Sequence, residues 1–378
     1  MHPRRQWLLR CAGAAAALSS PFARSAPAGA GTLVLGQSVP LTGDASEIGL
    51  AYAGGAKLFI DAFNAHGGGD APRIDLRQLD DAYSTERAAA NARKLLDEGC
   101  TALFGFAGTA STLAAAQVAQ QRGAVFFAPF AAPDALRGPA YPLVYLVRPS
   151  MADEAFKMVQ YCATLGLTRI ALAGDDDALG RAGLEAVNRA VDELKLPPLA
   201  VTAFVPPNGT QVDSAVAAVK AAQPQAIIQA ALFRSTAAFI QRMRGTGYAG
   251  AFLNFSTVGI DPLYYALDKQ IGGVVVSQVV PSPRSRVTPI VREYLAAIDA
   301  SDQTPSYEGL EGFIAAKTFA EAARRAGRGA NGAALQRALA GMAQHDVGGF
   351  RLNLRSGVRE ASSAIELVSI SADGRVIR

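Results

Sequence analysis

Two periods alternate along this chain, and that alternation limits the folds open to it. Residues 33–39, Leu-Val-Leu-Gly-Gln-Ser-Val, read as a buried strand. Ile48, Tyr52, Phe59, Ile60 and Phe63 then recur at helical spacing until the His66-Gly67-Gly68-Gly69 stop. Strands are expected again at 74–79, 101–105 and 124–128. The helices between them begin at Ser84, a cap residue with Arg87 where a capping box would place Glu, and at Ser111. The rhythm restarts after Arg148-Pro149-Ser150, with helices expected at 153–165, 180–194, 212–222 and 236–244. Strands are expected there at 169–173, 199–205, 225–231, 251–255 and 273–280. Continuous Val/Ile/Ala/Phe runs joined by helices imply parallel sheets covered on both faces.

The last third departs from this pattern. Residues 289–300, 307–326 and 333–342 read as helices, and only 349–354 and 364–370 read as strands. Pro281-Ser282-Pro283 is expected to carry the chain back to the first unit, and the stretch 345–349 to cross once more. The expectation is an α/β protein of two doubly wound parallel-sheet lobes joined by a three-strand hinge. The first lobe would comprise 29–148 plus 282–345, and the second 149–281 plus 346–378.

The N-terminus reads as an export signal over residues 1–28. An arginine pair precedes bulky apolar residues in Arg4-Arg5-Gln6-Trp7-Leu8-Leu9, an apolar stretch follows, and small residues surround Ser25 to Ala28 at leader-peptidase spacing. The expected localisation is therefore periplasmic, by a twin-arginine-like or a Sec signal. The four arginines of this segment, which contains no acid, account for the whole formal charge of +4. The remainder is neutral and carries no electrostatic footprint for nucleic acid. No later run approaches the roughly 18 apolar residues of a membrane span. Cys100 and Cys162 both sit in apolar settings and are expected to be buried free thiols.

Catalytic constellations are hard to assemble. Of three histidines, His2 lies in the leader, and His66 and His345 are far apart in loop-like contexts. There is no G-x-S-x-G elbow, no phosphate-binding glycine motif, and no Cys/His spacing for a metal. Asp175-Asp176-Asp177 reads as a solvated strand-end loop, because consecutive carboxylates point apart. No enzyme activity and no cofactor are expected.

Open parallel sheets bind ligands at the carboxyl ends of their strands. Gly108, Thr109 and Ser111 follow one strand and open a helix, whose N-terminus favours an anion. The alternative for Thr109 or Ser111 is a plain helix cap. Phe130, Ala131 and Ala132 follow the next strand. Thr42, Ser256 and Gln278 lie at further strand ends and complete this part of the candidate set.

Several of these segments carry a resemblance. Val39-Pro40-Leu41-Thr42-Gly43, Asn64-Ala65-His66-Gly67-Gly68, Asp80-Asp81-Ala82-Tyr83, Leu103-Phe104-Gly105 and Arg148-Pro149-Ser150 are similar to segments of the periplasmic leucine/isoleucine/valine-binding family. Gln278-Val279-Val280-Pro281, Leu310-Glu311-Gly312-Phe313 and Asp373-Gly374-Arg375 follow in the family's order. The resemblance implies the type I periplasmic binding fold and capture of a small solute for an inner-membrane ABC permease. The same fold also serves sensory receptors that signal to a membrane kinase or chemoreceptor. A monomer is expected.

The resemblance transfers the family's binding residues only in part. The hydroxyl that holds the ligand carboxylate falls on Thr109, and the pair after the next strand falls on Ala131 and Ala132. The aromatic residue of the second lobe's Asp-Asp-x-x-Gly turn falls on Leu179. The acid that meets an α-ammonium falls near Ser235, behind Phe233 and Arg234. The family's first-lobe cysteine pair corresponds to Tyr83 and Gly108. A buried ammonium without a carboxylate is costly, so a small organic or aromatic carboxylate is expected to suit the site better than an amino acid.

Overall fold

A computed structural model describes residues 31–66, 71–130, 133–268, 271–354, 361–371 and 376–377. The expected export signal at 1–28, Ala131 and Ala132 lie outside the described residues. The first sheet is wholly parallel. It consists of β1 (Thr32–Val39), β2 (Arg73–Asp80), β3 (Ala102–Phe104), β4 (Val125–Phe127) and β5 (Val144–Tyr145), in the order β2-β1-β3-β4-β5. Helices α1 (Ser46–Ala65), α2 (Thr85–Asp97) and α3 (Thr109–Gln121) form the crossovers. Ser84 caps α2 by accepting from the Arg87 N–H.

The second sheet has the parallel core β10-β9-β8-β6-β7, made of β6 (Ile170–Asp175), β7 (Val201–Val205), β8 (Ala226–Ala230), β9 (Ala251–Asn254) and β10 (Val274–Gln278). Two antiparallel strands, β13 (Glu366–Ile370) and β14 (Val376–Ile377), extend it beyond β10. The associated helices are α4 (Met151–Thr164), α5 (Ala178–Glu193), α6 (Asp213–Ala222), α7 (Phe233–Gly245) and the short α8 (Ile260–Ala266). A capping box of Ser150 and Asp153 starts α4.

After β10 the chain returns to the first sheet. Helices α9 (Pro289–Asp299), α10 (Tyr307–Ala326) and α11 (Gly332–Ala340) pack there, with α10 lying along α1. Close approach of α1 and α10 depends on glycine, because a Cβ on Gly312 would stand 2.1 Å from the Tyr52 carbonyl oxygen. A small hairpin, β11 (His345–Asp346) with β12 (Arg351–Leu352), precedes the final strands. The expected strand at 349–354 is thus two residues long within a hairpin. The chain passes between the two sheets three times, after β5, after β10 and before β13. This is the architecture expected from the periodicity, an α/β protein with two parallel-sheet lobes, and it agrees with the fold that the resemblance implies.

Cys100 and Cys162 are buried free thiols, and burial pushes them up to about 11 and about 12. Among the described residues, no helix is long and apolar enough to cross a membrane, and no group of three or more His, Cys, Asp or Glu is arranged to hold a metal ion.

Candidate functional site

The carboxyl ends of the two parallel sheets face each other, and three hollows open among the described residues there. The innermost is a small cavity of about 10 Å³, measured for the centre of a water-sized sphere. That is roughly room for one water molecule, so anything larger requires the lobes to part. Pro40, Ala45, Ile48, Tyr83, Ala107, Gly108 and Phe130 supply its first-lobe wall. Leu179, Leu232 and Thr257 supply the second-lobe wall. None of these described lining residues is charged. A polar groove of about 1100 Å³ opens on the flank marked by Thr109 and α5. A second groove of about 600 Å³ opens on the flank marked by Ile48 and α8.

The α3 mouth is built for close approach. Gly108, at φ 92°, is the N-cap of α3 and supplies no side-chain acceptor. Neither Thr109 nor Ser111 is therefore the cap; both lie in the first turn of α3. Ser111 is buried there, and the buried Thr109 hydroxyl lacks a hydrogen-bond partner. An uncapped first turn leaves its N–H groups open to an anion.

Tyr83 enters the cavity by way of a strained turn. Ala82 and Tyr83 are both left-handed, at φ 47° and 64°, a conformation that costs bulky residues of order 1–3 kcal/mol. Two carboxylates hold the turn. Asp80 accepts from the N–H groups of Leu41, Thr42 and Ala82 and from the Thr42 hydroxyl, and Asp81 accepts from the Tyr83 N–H and the Ser38 hydroxyl. These bonds overcome the burial cost at Asp80 and hold it at about 2, whereas burial dominates at Asp81 and raises it to about 6. Thr42 is thereby committed to the turn at an exposed position outside the cavity lining. Burial pushes the Tyr83 phenol well up, and Asp177 and Asp175 from the opposite lobe act in the same direction. The ring packs on Gly108, whose Cβ would stand 2.8 Å from a Tyr83 ring carbon. The two positions onto which the resemblance placed a cysteine pair meet here through an aromatic ring on a glycine.

The second-lobe mouths differ from the sequence expectation. Helix α7 begins at Phe233, three residues before the expected start at 236. Phe233 and Ser235 are buried in its first turn, and the residue that reaches the cavity is Leu232. Ser235 donates to Asp175 at 2.6 Å, and the Leu232 N–H donates to the other Asp175 oxygen at 3.0 Å. Burial raises Asp175 to about 6 despite these bonds. Asp177 caps α5 by accepting from the N–H groups of Leu179 and Gly180. Arg234 points to the rim, where its Nη1 lies 2.9 Å from Asp44 of the first lobe. Asn208 reinforces this contact: it donates to the Asp44 carbonyl oxygen and accepts from the Arg234 N–H. On the opposite flank, Arg189 lies 3.6 Å from Asp134.

A buried charge cluster sits behind the cavity. The Arg148 guanidinium lies 4.7 Å from the centroid of the Phe130 ring, and Phe130 lines the cavity. Arg148 donates to the Ser256 hydroxyl and to Glu154, and stands 3.7 Å from Glu311. Glu154 also accepts from the Ser256 N–H and the Ser277 hydroxyl. Ser256 therefore serves the cluster, and its neighbour Thr257 reaches the cavity, with a buried hydroxyl that has no partner. Gln278 is buried at the end of β10, opposite Glu366, and does not line the cavity.

Of the expected site residues, Gly108, Phe130 and Leu179 meet at the cavity, and Thr109 adjoins it. Reading the sequence did not single out Tyr83, Leu232 or Thr257 for the cavity. The left-handed Asp-Asp-Ala-Tyr turn has no local glycine to announce it. Leu232 and Thr257 were hidden by small errors in where strands stop and helices begin.

Comparison with known proteins agrees with this architecture. A profile for periplasmic binding proteins matches residues 32–375. The Leu/Ile/Val-binding protein homolog 7 of Brucella suis biovar 1 (strain 1330) is 25% identical over 348 residues, covering 86% of this chain and 84% of that protein. A possible leucine/isoleucine/valine-binding protein from Rhodopirellula baltica SH 1 superposes with a TM-score of 0.86 at 29% identity, covering 94% of this chain and 98% of the other. A substrate-binding periplasmic protein from Ralstonia solanacearum superposes with a TM-score of 0.83 at 30% identity, covering 91% of this chain and 99% of the other. From its fold, its paired strand-end mouths and these matches, the chain belongs to the periplasmic binding protein family, as a substrate-binding protein of the branched-chain-amino-acid type.

Proposed function

We propose that this chain is the periplasmic substrate-binding component of an ABC importer, and that it captures a small carboxylate with an apolar body between its lobes. The leading observation is the pairing of two features: an uncapped α3 N-terminus beside the unpartnered Thr109 hydroxyl, and an inner cavity with no charge among its described lining residues. The first suits a carboxylate. The second offers no partner for an α-ammonium, whose burial without a carboxylate is costly. The ligand's apolar body would rest on Ile48, Phe130, Leu179 and Leu232. The lobes are taken as 29–148 plus 282–345 and 149–281 plus 346–378, with 1–28 as the export signal and the folded chain acting as a monomer.

No nucleophile–base pair is formed by the described residues at the cavity, so the protein is expected to bind its ligand and release it unchanged. Calorimetry on leucine and on 2-oxoisocaproate tests the charge preference. The oxo acid should bind more tightly, and Thr109→Ala should weaken it by about 1–3 kcal/mol, the range for a hydrogen bond to a charged group. Clearly tighter leucine binding by the unaltered protein would overturn the preference.

A further inference from the structure

The groove of about 600 Å³ beside Ile48 has a chemistry unlike the rest of the cleft. Its walls are apolar: Ile48 and Leu50 come from α1, and Pro262 and Tyr265 from α8. Leu50 and Tyr265 are 52% and 76% exposed, the latter an unusually open position for an aromatic ring. The charged part of its lining is chiefly acidic, with Glu308, Asp261, Glu47 and Asp302. The one lysine of the lining, Lys57, is paired with Asp61 at 2.5 Å.

Glu308 distinguishes this groove from an ordinary acidic surface. It is only 5% exposed, its own backbone N–H lies at its carboxylate, and no other hydrogen bond reaches that carboxylate among the described residues. Several charged and titratable groups face it. Asp261 of α8 and Glu311 of α10 repel its charge. Arg148 favours it, but is already engaged by Glu154, Glu311 and the Ser256 hydroxyl. Tyr294 of α9 also senses it, and Arg284 lies 3.5 Å from Asp261. Glu47, Lys57 and Asp302 line the same groove. The region thus holds one buried guanidinium among the carboxylates of Glu154, Glu308 and Glu311, and is short of positive charge.

We propose that this groove is a second binding site, one that takes a primary ammonium on a short apolar chain. Its ammonium would donate to Glu308 and Asp261, and its apolar chain would lie against Leu50, Pro262 and Tyr265. A cation seated there supplies the charge the buried carboxylates lack. The aromatic wall of Tyr265 attracts a cation as well as excluding water. The site is distinct from the α3 mouth in both position and sign of charge, and it does not depend on which acid the inner cavity takes.

The test is calorimetry on the full exported chain with phenethylammonium, and with 2-phenylethanol as its neutral counterpart. The amine should bind at pH 8 and the alcohol at least about tenfold more weakly. Burial raises Glu308 to about 7, so amine affinity should fall about tenfold from pH 8 to pH 6 as the carboxylate takes up a proton. Glu308→Gln keeps the side chain's shape and removes a buried charge, so it should fold and lose at least about tenfold in amine affinity. Tyr265→Ala, at an exposed position, should cost about threefold or more. Thr109→Ala should leave amine binding unchanged, which separates this site from the inner one. Equal binding of amine and alcohol, full affinity in Glu308→Gln, or loss of amine binding in Thr109→Ala would each overturn the assignment.

Discussion

The two lobes present helix N-termini to the same cleft and treat them in opposite ways. In the first lobe, α3 starts at a glycine, carries no side-chain cap, and places the unpartnered Thr109 hydroxyl beside its open first turn. In the second lobe, the chain's own carboxylates have taken that place. Asp177 caps α5, and Asp175 accepts from the Leu232 N–H and the Ser235 hydroxyl at the start of α7. An anion is therefore welcome on one side and repelled on the other. The comparison teaches that a βα mouth becomes a site only where its donors are left unspent. The same fold can spend them on its own stability.

The comparison breaks most severely if the first lobe is made to resemble the second. Thr109→Asp would place a carboxylate at the α3 N-terminus. Binding of a carboxylate such as 2-oxoisocaproate should fall about 100-fold, the scale of a close like-charge contact. The thermal midpoint should hold or rise slightly, since an acid suits a helix start. Retained affinity by calorimetry would show that the ligand's carboxylate lies elsewhere.

A smaller effect is expected on the other side. Ser235→Ala removes a hydroxyl that donates to Asp175, and the cost should appear in folding stability, at about 1–3 kcal/mol. Urea unfolding measures it. Affinity for a carboxylate should change little, because Ser235 does not line the cavity; a large affinity loss with unaltered stability would place it in the site after all.

The buried acids make stability depend on pH with an unusual sign. Burial holds Asp175 at about 6 in the folded chain, above the unfolded value of about 3.9. As pH rises from about 4 to 6, the unfolded chain has already lost this proton while the folded chain keeps it, so stability falls, and the cost is complete above about pH 6. Lowering the pH from 7 to 5 should thus return about 1 kcal/mol from this residue. Glu308 and Glu311, raised by burial to about 7, act in the same direction, whereas His345, lowered by burial, acts against it. Unfolding across this range should show the rise, and Asp175→Asn should reduce it. An identical slope in the variant would mean that Asp175 is charged throughout.

The gentlest prediction concerns the rim. Arg234 and Asp44 are 43% and 68% exposed, so their bridge between lobes is screened by water. Arg234→Ala should cost only about 0.2–1 kcal/mol of ligand affinity. The loss should appear as faster release in stopped-flow, because the contact holds the lobes together without lining the inner cavity. An unchanged release rate would reduce the bridge to decoration.

Most of the architecture was legible in the sequence, because a strand buried on both faces and an amphipathic helix write their periods locally. The runs at 33–39 and 169–173 and the helix that starts at Ser84 all appear close to their expected bounds. The errors at 233–236 were three residues long, yet they moved the expected acid position off the cavity. Helix α7 starts early because Asp175, from a strand some sixty positions earlier in the chain, meets its first turn. No local pattern in 231–236 records that bond.

The sequence by itself determined the βα order, the candidate mouths at strand ends, and the lack of an evident catalytic set, since these depend on periodicity and on which residue types are present. Tertiary structure decided which donors stay open and which side chains fill the cavity. Tyr83 reaches it only because Asp80 and Asp81 hold a left-handed turn, and Arg234 misses it because Asp44 from the other lobe claims its charge. A hydrogen bond or an ion pair is a property of two places in the chain. The residues that form these are far apart in sequence, and only the closed fold brings them within reach.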